Sequence, residues 1–412
     1  MLKKITAPYF LCINIPVYCD EDGRRYLPRL WYKDLKTHLD YIENFSLACP
    51  CVYGKPPGDT TPLDADPAFS RIRIIDLPQA SGFIDAIRLL PSTIVNLWHE
   101  IGCSKIIHTS VAGWPIPFGW IITPMLYLRK RFYIIIIESA PWRINTQSSY
   151  KLKDRIRAFL SEKISLWCIA KADFVVCTSN HYKNTFLRVG FKGKSCVIPA
   201  SWVDESDIIS EADAAKSWMH NLSKTPRFLF AARLIPSKGV YILLRAMELL
   251  NAENIPISID ILGDGKLLEE CQKLAGQLTG RSQMSVIGTV PYGADFFRLL
   301  RSYCAVIVPS LSDEQPRIIF DAYSQAIPVF VSDTPGPREY VQDLKTGRLF
   351  SANNAQALAN VIKWAIQYKA ELQPMGMASL KVAQNMTHKK MHETRWELLL
   401  KALEGKIDHS SA

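Results

Sequence analysis

Short apolar runs alternate with longer amphipathic stretches along the chain, first over residues 10–198 and again over 227–369. The apolar runs have the length of buried strands, and the stretches between them place apolar residues at helical spacing. The predicted strands are 10–15, 45–51, 72–75, 105–108, 132–137, 174–177 and 195–198, then 227–231, 257–262, 284–287, 305–308 and 329–331. The predicted helices are 30–41, 84–102, 150–170, 240–250, 266–279, 294–302, 317–326 and 355–369.

This alternation predicts an α/β fold with two parallel sheets, each wrapped by helices, one in each half of the chain. A chain of 412 residues is long enough for two such domains. The polar segment 199–226 has a proline at each end, so we predict a first domain over 1–200, a linker over 201–226 and a second domain over 227–379. Ligands of such folds bind at the carboxyl ends of the strands, so a site is expected there, in the cleft between the sheets.

Composition and charge narrow the class of protein but not its partner. The chain is 48% hydrophobic and 21% charged, which is typical of globular proteins and excludes a disordered chain. The formal net charge of +10 and the isoelectric point near 9.0 indicate an anionic partner. A nucleotide sugar, an anionic lipid and a nucleic acid all fit this charge, as does a basic surface that only keeps the protein soluble.

The cysteines and the apolar segments predict neither a metal site nor a membrane span. Ten cysteines are scattered along the chain and only Cys49 and Cys51 are close in sequence, so we expect free thiols in a reducing cytosol. The N-terminus lacks a long apolar core and a cleavage site, which predicts a strand instead of a signal peptide. The apolar segment 120–137 is interrupted by three basic residues at 129–131, so no transmembrane helix is predicted.

The most informative segment is 310–322, a polar loop and short helix that follow a predicted strand. Ser312 or Asp313 can cap this helix, and Pro316 suits its first turn. The backbone N–H groups of that turn point toward the end of the strand, where they can bind a phosphate. The residues concerned are Arg317, Ile318 and Ile319. Asp321 lies further along the helix and can accept hydrogen bonds from sugar hydroxyls, so the segment is typical of a nucleotide-sugar pocket.

Other strand ends in the second half carry residues of the same kind. Arg233 and Lys238 can converge on one anion, Arg as a bidentate fork and Lys as a point charge, and Gly239 lets the backbone approach closely. Glycines follow the next two strands, as Gly263, Gly265 and Gly288. Solvated or ordinary turns would explain each feature alone. Their occurrence together with Asp313 and Asp321 favours a binding site.

In combination, residues 227–350 resemble the nucleotide-sugar domain of GT-B glycosyltransferases, specifically of the large retaining family 4. The family motif G-R-L-x-x-x-K-G corresponds to 232–239, with Ala232 in place of the first glycine. The E-x7-E motif of the family falls on Asp313 and Asp321, both shortened from Glu. The segments that also match are 336–339 and 346–350.

The resemblance implies a fold and a role for each candidate residue. The fold would be GT-B, with two Rossmann-like domains and a C-terminal helix at about 380–408 that packs back on the first domain. Arg233 and Lys238 would neutralise the departing diphosphate. Asp321 would bind the ribose, and Asp313 would hold the hydroxyls of the donor sugar. The acceptor hydroxyl would attack the same face of the sugar, so that configuration is retained without a metal.

The first half departs from the family pattern at two candidate positions. The family often carries a Gly-Gly loop after the first strand, where this chain has the single glycine Gly23. Many members place a histidine at the end of a middle strand, where this chain has Glu138. Glu138 can contact a sugar or acceptor hydroxyl, act as a base, or be a strand-end carboxylate bonded to backbone. His108 is interpreted as structural. The D-x-D tripeptides at 20–22 and 64–66 follow no central strand, so we expect no metal.

The segment 143–171 carries seven basic residues against two acidic ones, and its apolar residues recur at helical spacing. Such a helix can pack its apolar face inward and show its basic face to solvent, or it can lie on anionic lipid. Both interpretations stay open from the sequence.

The sequence therefore predicts a retaining glycosyltransferase that moves a sugar from a nucleoside diphosphate sugar to a hydroxyl of a saccharide or lipid-linked saccharide, in polysaccharide or glycolipid synthesis. No cofactor and no nucleic-acid partner are expected. The expected location is the cytoplasm, either free or peripheral at the inner face of the membrane. Two alternatives share the fold: a binding protein that holds a nucleotide sugar without transferring it, and a nucleotide-sugar epimerase or phosphorylase. The departures at Ala232, Glu138, Asp313 and Asp321 motivate the first alternative.

Overall fold

The structure, a computed structural model, describes residues 3–113, 115–143, 151–187, 190–278, 280–312 and 314–407. The chain divides into two compact units. The first comprises Met1–Ile198 together with His392–Ala412, and the second comprises Pro199–Met391. Each unit has its own largely parallel sheet and its own hydrophobic core, which confirms the predicted fold class.

The first unit is built on a ten-stranded sheet. Its strands are β1 Tyr9–Cys12, β2 Val17–Cys19, β3 Arg25–Pro28, β4 Phe45–Tyr53, β5 Thr60–Pro62, β6 Arg73–Pro78, β7 Ile106–Ser110, β8 Phe132–Ile137, β9 Phe174–Cys177 and β10 Lys194–Val197. Its helices are α1 Arg29–Tyr41, α2 Phe83–Cys103, α3 Phe118–Leu128, α4 Leu152–Ala170 and α5 Asn180–Phe186. The order along the sheet is β10-β9-β8-β7-β1-β4-β2-β3-β5, with β6 also paired to β4.

Strand β1 lies at the centre of this sheet, between two parallel neighbours. Tyr9 is opposite Phe45 of β4 on one side and Ile106 of β7 on the other. All four residues of β1 are buried. Strands that are covered on both faces appear in the sequence as continuous apolar runs, which is why the central strands could be predicted.

The second unit is built on a six-stranded parallel sheet in the order β13-β12-β11-β14-β15-β16. Its strands are β11 Arg227–Ala231, β12 Ser258–Leu262, β13 Gln283–Gly288, β14 Ala305–Val308, β15 Val329–Ser332 and β16 Gly347–Phe350. The helices are α6 Glu211–Leu222, α7 Val240–Ala252, α8 Leu268–Gln277, α9 Ala294–Leu300, α10 Ile318–Ser324, α11 Pro335–Arg338, α12 Ala355–Gln367, α13 Leu372–Ala383 and α14 His388–Ile407, whose later part belongs to the first unit. The strand order reverses between β11 and β14, and ligands of such sheets bind at the carboxyl ends of the strands beside this switch point.

Residues 201–226, predicted as a linker, lie inside the second unit. Helix α6 fills much of this segment, and its Trp218 side chain is buried in the core. The indole N–H of Trp218 donates to the carbonyl oxygen of Ala326 at 2.9 Å. The segment is therefore part of the packed core of this unit.

No helix within the described ranges combines the length and the apolar composition that crossing a bilayer requires.

Candidate functional site

The loop between β11 and α7 lies against the end of β14, at the switch point of the second sheet. The N–H of Leu311 donates to the carbonyl oxygen of Ser237 at 2.9 Å, which ties the two loops together. Gly239 precedes α7 with φ of +76°, and a Cβ atom built there would lie 1.7 Å from the carbonyl oxygen of Pro309. The two backbones approach so closely that only glycine fits between them.

Two of the cations that the sequence singled out, Arg233 and Arg317, act electrostatically on a third, Lys238, in this loop. The Lys238 side chain is 16% exposed, and its ammonium group contacts the carboxylate of Glu314. Burial, with the charges of Arg233 and Arg317, lowers the pKa of Lys238 to about 8. Glu314 acts in the opposite direction, because a carboxylate in contact stabilises the ammonium form. We therefore regard Lys238 as charged, within a local excess of positive charge.

Glu314 was not identifiable as a site residue from the sequence, although it directly follows Asp313. Asp313 itself lies outside the described residues. Its partner Lys238 is 76 positions away, so local spacing gives no signal for the pair. The next residue fixes the loop: the side-chain amide of Gln315 exchanges two hydrogen bonds of 2.8 Å with the backbone of Ala200. Glu314 is thus held beside Lys238 by an anchored loop.

In the first turn of α10, one amide of the predicted phosphate seat is already hydrogen-bonded. The helix begins at Ile318. The N–H of Ile319 donates to the carbonyl oxygen of Pro316 at 3.2 Å, so this amide is engaged within its own turn. The Arg317 guanidinium lies 5.3 Å from the centre of the Trp202 ring. Side-chain cations are therefore better placed than this amide to receive an anion.

Asp321 is buried on α10 and has a partner that the sequence did not reveal. The hydroxyl of Tyr292 donates to Oδ1 of Asp321 at 2.8 Å. Burial and the Asp321 carboxylate raise the pKa of Tyr292, so the phenol keeps its proton and remains a donor. Tyr292 precedes α9 and carries no recognisable motif. The contact connects the segment after β13 to α10 and orients the carboxylate.

The predicted glycines bring the loops after β11, β12 and β13 together. A Cβ atom at Gly263 would lie 1.9 Å from the carbonyl oxygen of Ala232, and the Gly263 N–H donates to the Gly288 carbonyl oxygen at 2.6 Å. Gly265, in the same loop, lies against the backbone of Leu234. Three strand ends that the sequence identified separately are thus adjacent at one edge of the sheet.

In the first unit, the two candidate residues lie in different settings. Gly23 is in the hairpin turn between β2 and β3, where its N–H donates to the Asp20 carbonyl oxygen at 3.1 Å. The prediction that its loop follows β1 is corrected, since the short strand β2 intervenes. Glu138 is exposed directly after β8. Burial lowers the pKa of the Arg395 guanidinium, but Tyr41, Asp34 and Glu138 raise this pKa by more. Glu138 is therefore close enough to interact electrostatically with the Arg395 guanidinium.

A cavity of about 150 Å³ lies beside the carboxyl ends of β1 and β6 in the first unit. Its lining is mostly apolar, with a few polar side chains. Residues that line it include Asn14, Gln79, Leu89, Leu90, Phe118 and Ile121. Such a cavity can take an apolar group and fix it with few hydrogen bonds.

Buried titratable side chains elsewhere in the first unit form a structural network. Among the described residues, Asp34, His38 and His392 are close enough to share a cation. The two ring nitrogens of His392 are instead hydrogen-bonded, to Asp34 Oδ1 and to the Tyr41 hydroxyl, each at 3.0 Å. The guanidinium of Arg395 lies 3.3 Å from Nε2 of His38 and disfavours a second cation. The network fastens α14 to α1.

His108 lies in the middle of the same sheet, on β7. Its Nδ1 is 2.6 Å from the hydroxyl of Tyr9. Burial holds the pKa of His108 well below its usual value, so the ring is neutral. This environment agrees with the structural interpretation of His108.

Comparison with known proteins gives one matching family model and several solved structures of similar fold. Residues 214–381 match the family model described as glycosyl transferases group 1. No curated protein sequence matches the chain. Sucrose-phosphate synthase from Thermosynechococcus elongatus superposes with a TM-score of 0.68 at 16% identity, covering 97% of this chain and 100% of that one. Anabaena Alr3699/HepE in complex with UDP superposes with a TM-score of 0.65 at 15% identity, covering 96% of this chain and 100% of that one. A glycosyltransferase from Rickettsia africae superposes with a TM-score of 0.64 at 17% identity, covering 97% of this chain and 99% of that one. These similarities establish the GT-B fold.

Proposed function

We propose that this glycosyltransferase, whose residues 214–381 form a glycosyl transferases group 1 domain, moves a sugar from a nucleoside diphosphate sugar to an acceptor hydroxyl with retention of configuration. The observation that carries the proposal is the group of cations Arg233, Lys238 and Arg317 beside the switch point of that domain. A diphosphate matches such a group in charge. HepE was solved with UDP-glucose, which favours a UDP-sugar as the first donor to test.

In this proposal the cations stabilise the leaving group. Negative charge grows on the diphosphate as its bond to the anomeric carbon breaks, so Arg233 and Lys238 lower the barrier more than they strengthen ground-state binding. Asp321, oriented by Tyr292, binds the ribose hydroxyls. Asp313 holds the donor sugar. The acceptor oxygen then bonds to the face that the diphosphate leaves, and the scheme assigns no step to a metal.

We assign the acceptor to the first unit. Its cavity beside β1 and β6 is mainly apolar, which favours a saccharide that carries an apolar group, such as a lipid-linked saccharide. Glu138, exposed after β8, is the candidate to hydrogen-bond or deprotonate the acceptor hydroxyl. All ten cysteines are free thiols, which is in keeping with a cytoplasmic enzyme. The basic segment 143–171 would bring it to the inner face of the membrane, in polysaccharide or glycolipid synthesis.

Glu314 is proposed to act as an internal counter-ion that the donor diphosphate must displace from Lys238. Glu314→Gln should therefore tighten binding of UDP by roughly 10- to 100-fold, the equivalent of about one hydrogen bond to a charged group. Calorimetric titration of the wild type and the variant with UDP measures the difference. Glu269→Gln, an exposed carboxylate on α8, is the control and should leave the affinity unchanged. Weaker binding by Glu314→Gln would contradict the counter-ion role and indicate that Glu314 itself contacts the donor.

Thermal-shift screening against UDP-, GDP- and ADP-sugars tests the proposed function. A donor at about 100 times its dissociation constant should stabilise the protein by about 2.7 kcal/mol. Release of the nucleoside diphosphate with saccharide and lipid-linked acceptors then measures transfer. If no nucleotide sugar stabilises the protein, the proposal is wrong. Binding without release would support a non-catalytic binding protein, and a changed sugar without transfer, detected by NMR, would support an epimerase.

A further inference from the structure

Helices α2, α3 and α4 form one layer on one face of the first sheet. They connect β6 to β7, β7 to β8 and β8 to β9, and these crossovers run in the same direction along the sheet. Parallel crossovers are right-handed, so their helices lie on the same face. Helix α3 contacts both α2 and α4. The outer surface of these three helices is therefore continuous.

This outer surface is unusually apolar. Of the nineteen large apolar side chains that are exposed among the described residues, thirteen lie on these three helices. They are Phe83, Ile84, Ile87, Ile94 and Val95 on α2, Tyr127 and Leu128 on α3, and Leu152, Ile156, Phe159, Leu160, Ile164 and Trp167 on α4. Exposed apolar surface on this scale marks a site of interaction with a protein or a membrane.

Helix α4 is inverted with respect to an ordinary surface helix. Ser161 and Ser165 are buried, and Ser165 accepts a hydrogen bond of 3.1 Å from the indole N–H of Trp120. Phe159, in contrast, is 60% exposed. The interpretation that α4 turns its apolar face inward is thus wrong for this helix. Its apolar face is presented outward.

The charges beside this face indicate what covers it. Exposed basic residues flank the apolar stripe of α4 and continue at its two ends: Lys151, Lys153, Arg155, Arg157, Lys163 and Lys171. Of the two acidic residues on α4, Glu162 is already paired with Arg143 at 2.7 Å. A second copy of this surface would bring like charges together, whereas an anionic bilayer complements them. Tyr127 and Trp167, whose rings stack at 6.0 Å, are the residue types that favour the membrane interface.

We propose that the outer surface of α2, α3 and α4 docks on an anionic lipid bilayer, with the apolar side chains below the headgroups and the basic residues at headgroup level. The inference rests on the proposed function only for the role of this docking, which is to bring the first unit to a lipid-linked acceptor. Docking itself needs neither donor nor acceptor.

Flotation of the full-length protein with vesicles, without donor or acceptor, tests the proposal. The probes are vesicles of phosphatidylcholine and vesicles of equal parts phosphatidylcholine and phosphatidylglycerol. The wild type should bind the anionic vesicles more tightly, and salt should weaken this binding. Lys153→Gln with Arg157→Gln should lower the partition coefficient on anionic vesicles on the order of thirtyfold. Ile156→Ser with Phe159→Ser should cause a loss of at least tenfold.

The control pair is Met219→Ser with Tyr241→Ser, which removes two exposed apolar side chains from the second unit and should leave flotation unchanged. Because all the substituted side chains are exposed, the variants should keep their circular dichroism spectra. Failure of the wild type to float with anionic vesicles would overturn the proposal, as would equal flotation of the α4 variants. A stable oligomer that Ile156→Ser with Phe159→Ser dissociates would overturn it in favour of a protein interface. Nucleotide-sugar binding is measured separately, so a failed transferase assignment would be recognised independently.

Discussion

Replacement of Lys238 by alanine should slow sugar transfer at saturating donor by on the order of 100- to 1,000-fold, or about 3 kcal/mol of barrier. The effect is large because the Lys238 ammonium is mostly shielded from water. In such a shielded position a cation stabilises a departing anion more than it would at the surface. Arg233 remains in the variant, so donor binding should weaken less than the rate falls. Release of the nucleoside diphosphate under multiple-turnover conditions measures kcat and KM separately.

Two variants separate the chemical role of Lys238 from a structural one. Lys216→Ala removes an exposed lysine on α6 of the same unit and should leave the rate unchanged. Lys238→Ala leaves Glu314 without its counter-ion, so Lys238→Ala with Glu314→Gln should recover stability without recovering the rate. An unchanged kcat in Lys238→Ala, or full recovery of kcat in the double variant, would contradict the assigned role.

The residues of the proposed donor site were identifiable from the sequence where they lie close together along the chain. Arg233, Lys238 and Asp321 each follow or lie near the end of an apolar run, and the fold brings such ends to one edge of a sheet. Their partners could not be predicted in this way. Glu314 meets Lys238 across 76 positions and Tyr292 meets Asp321 across 29, so both contacts depend on how separate loops pack.

The fold was predictable where burial on both faces leaves a continuous apolar run, as in β1 and β9. Strands β2 and β5 were missed because each has three residues and they belong to the short strands at one side of the sheet. Helix α6 was missed because its surface is polar and its burial depends largely on Trp218. For α4, periodicity fixes that one face is apolar but not which way that face points. Only the packing of α4 on α3 decides this.

Replacement of Gly239 by alanine should lower the free energy of unfolding of the second unit by about 2–5 kcal/mol. A non-glycine residue in the left-handed region costs about 1–2 kcal/mol, and overlap with packed neighbours adds about 1–3 kcal/mol. The overlap here is with the backbone of Pro309, which cannot rotate away as a side chain could. Hydrogen exchange of the α7 amides, Val240–Ala252, reports the stability of this unit directly.

Gly288→Ala separates the two contributions, because Gly288 has nearly the same φ, +75° against +76°, but no atom within 4 Å of its Cβ position. Its substitution should cost only the conformational term, about 1–2 kcal/mol. The difference between the two variants therefore measures how closely the β11–α7 loop approaches the end of β14. The overlap at Gly239 should also displace the adjacent Lys238. Gly239→Ala should therefore weaken UDP binding more than Gly288→Ala does. Equal losses of stability in the two variants would show that the loops are not in contact, and the grouping of cations at the switch point would lose its basis.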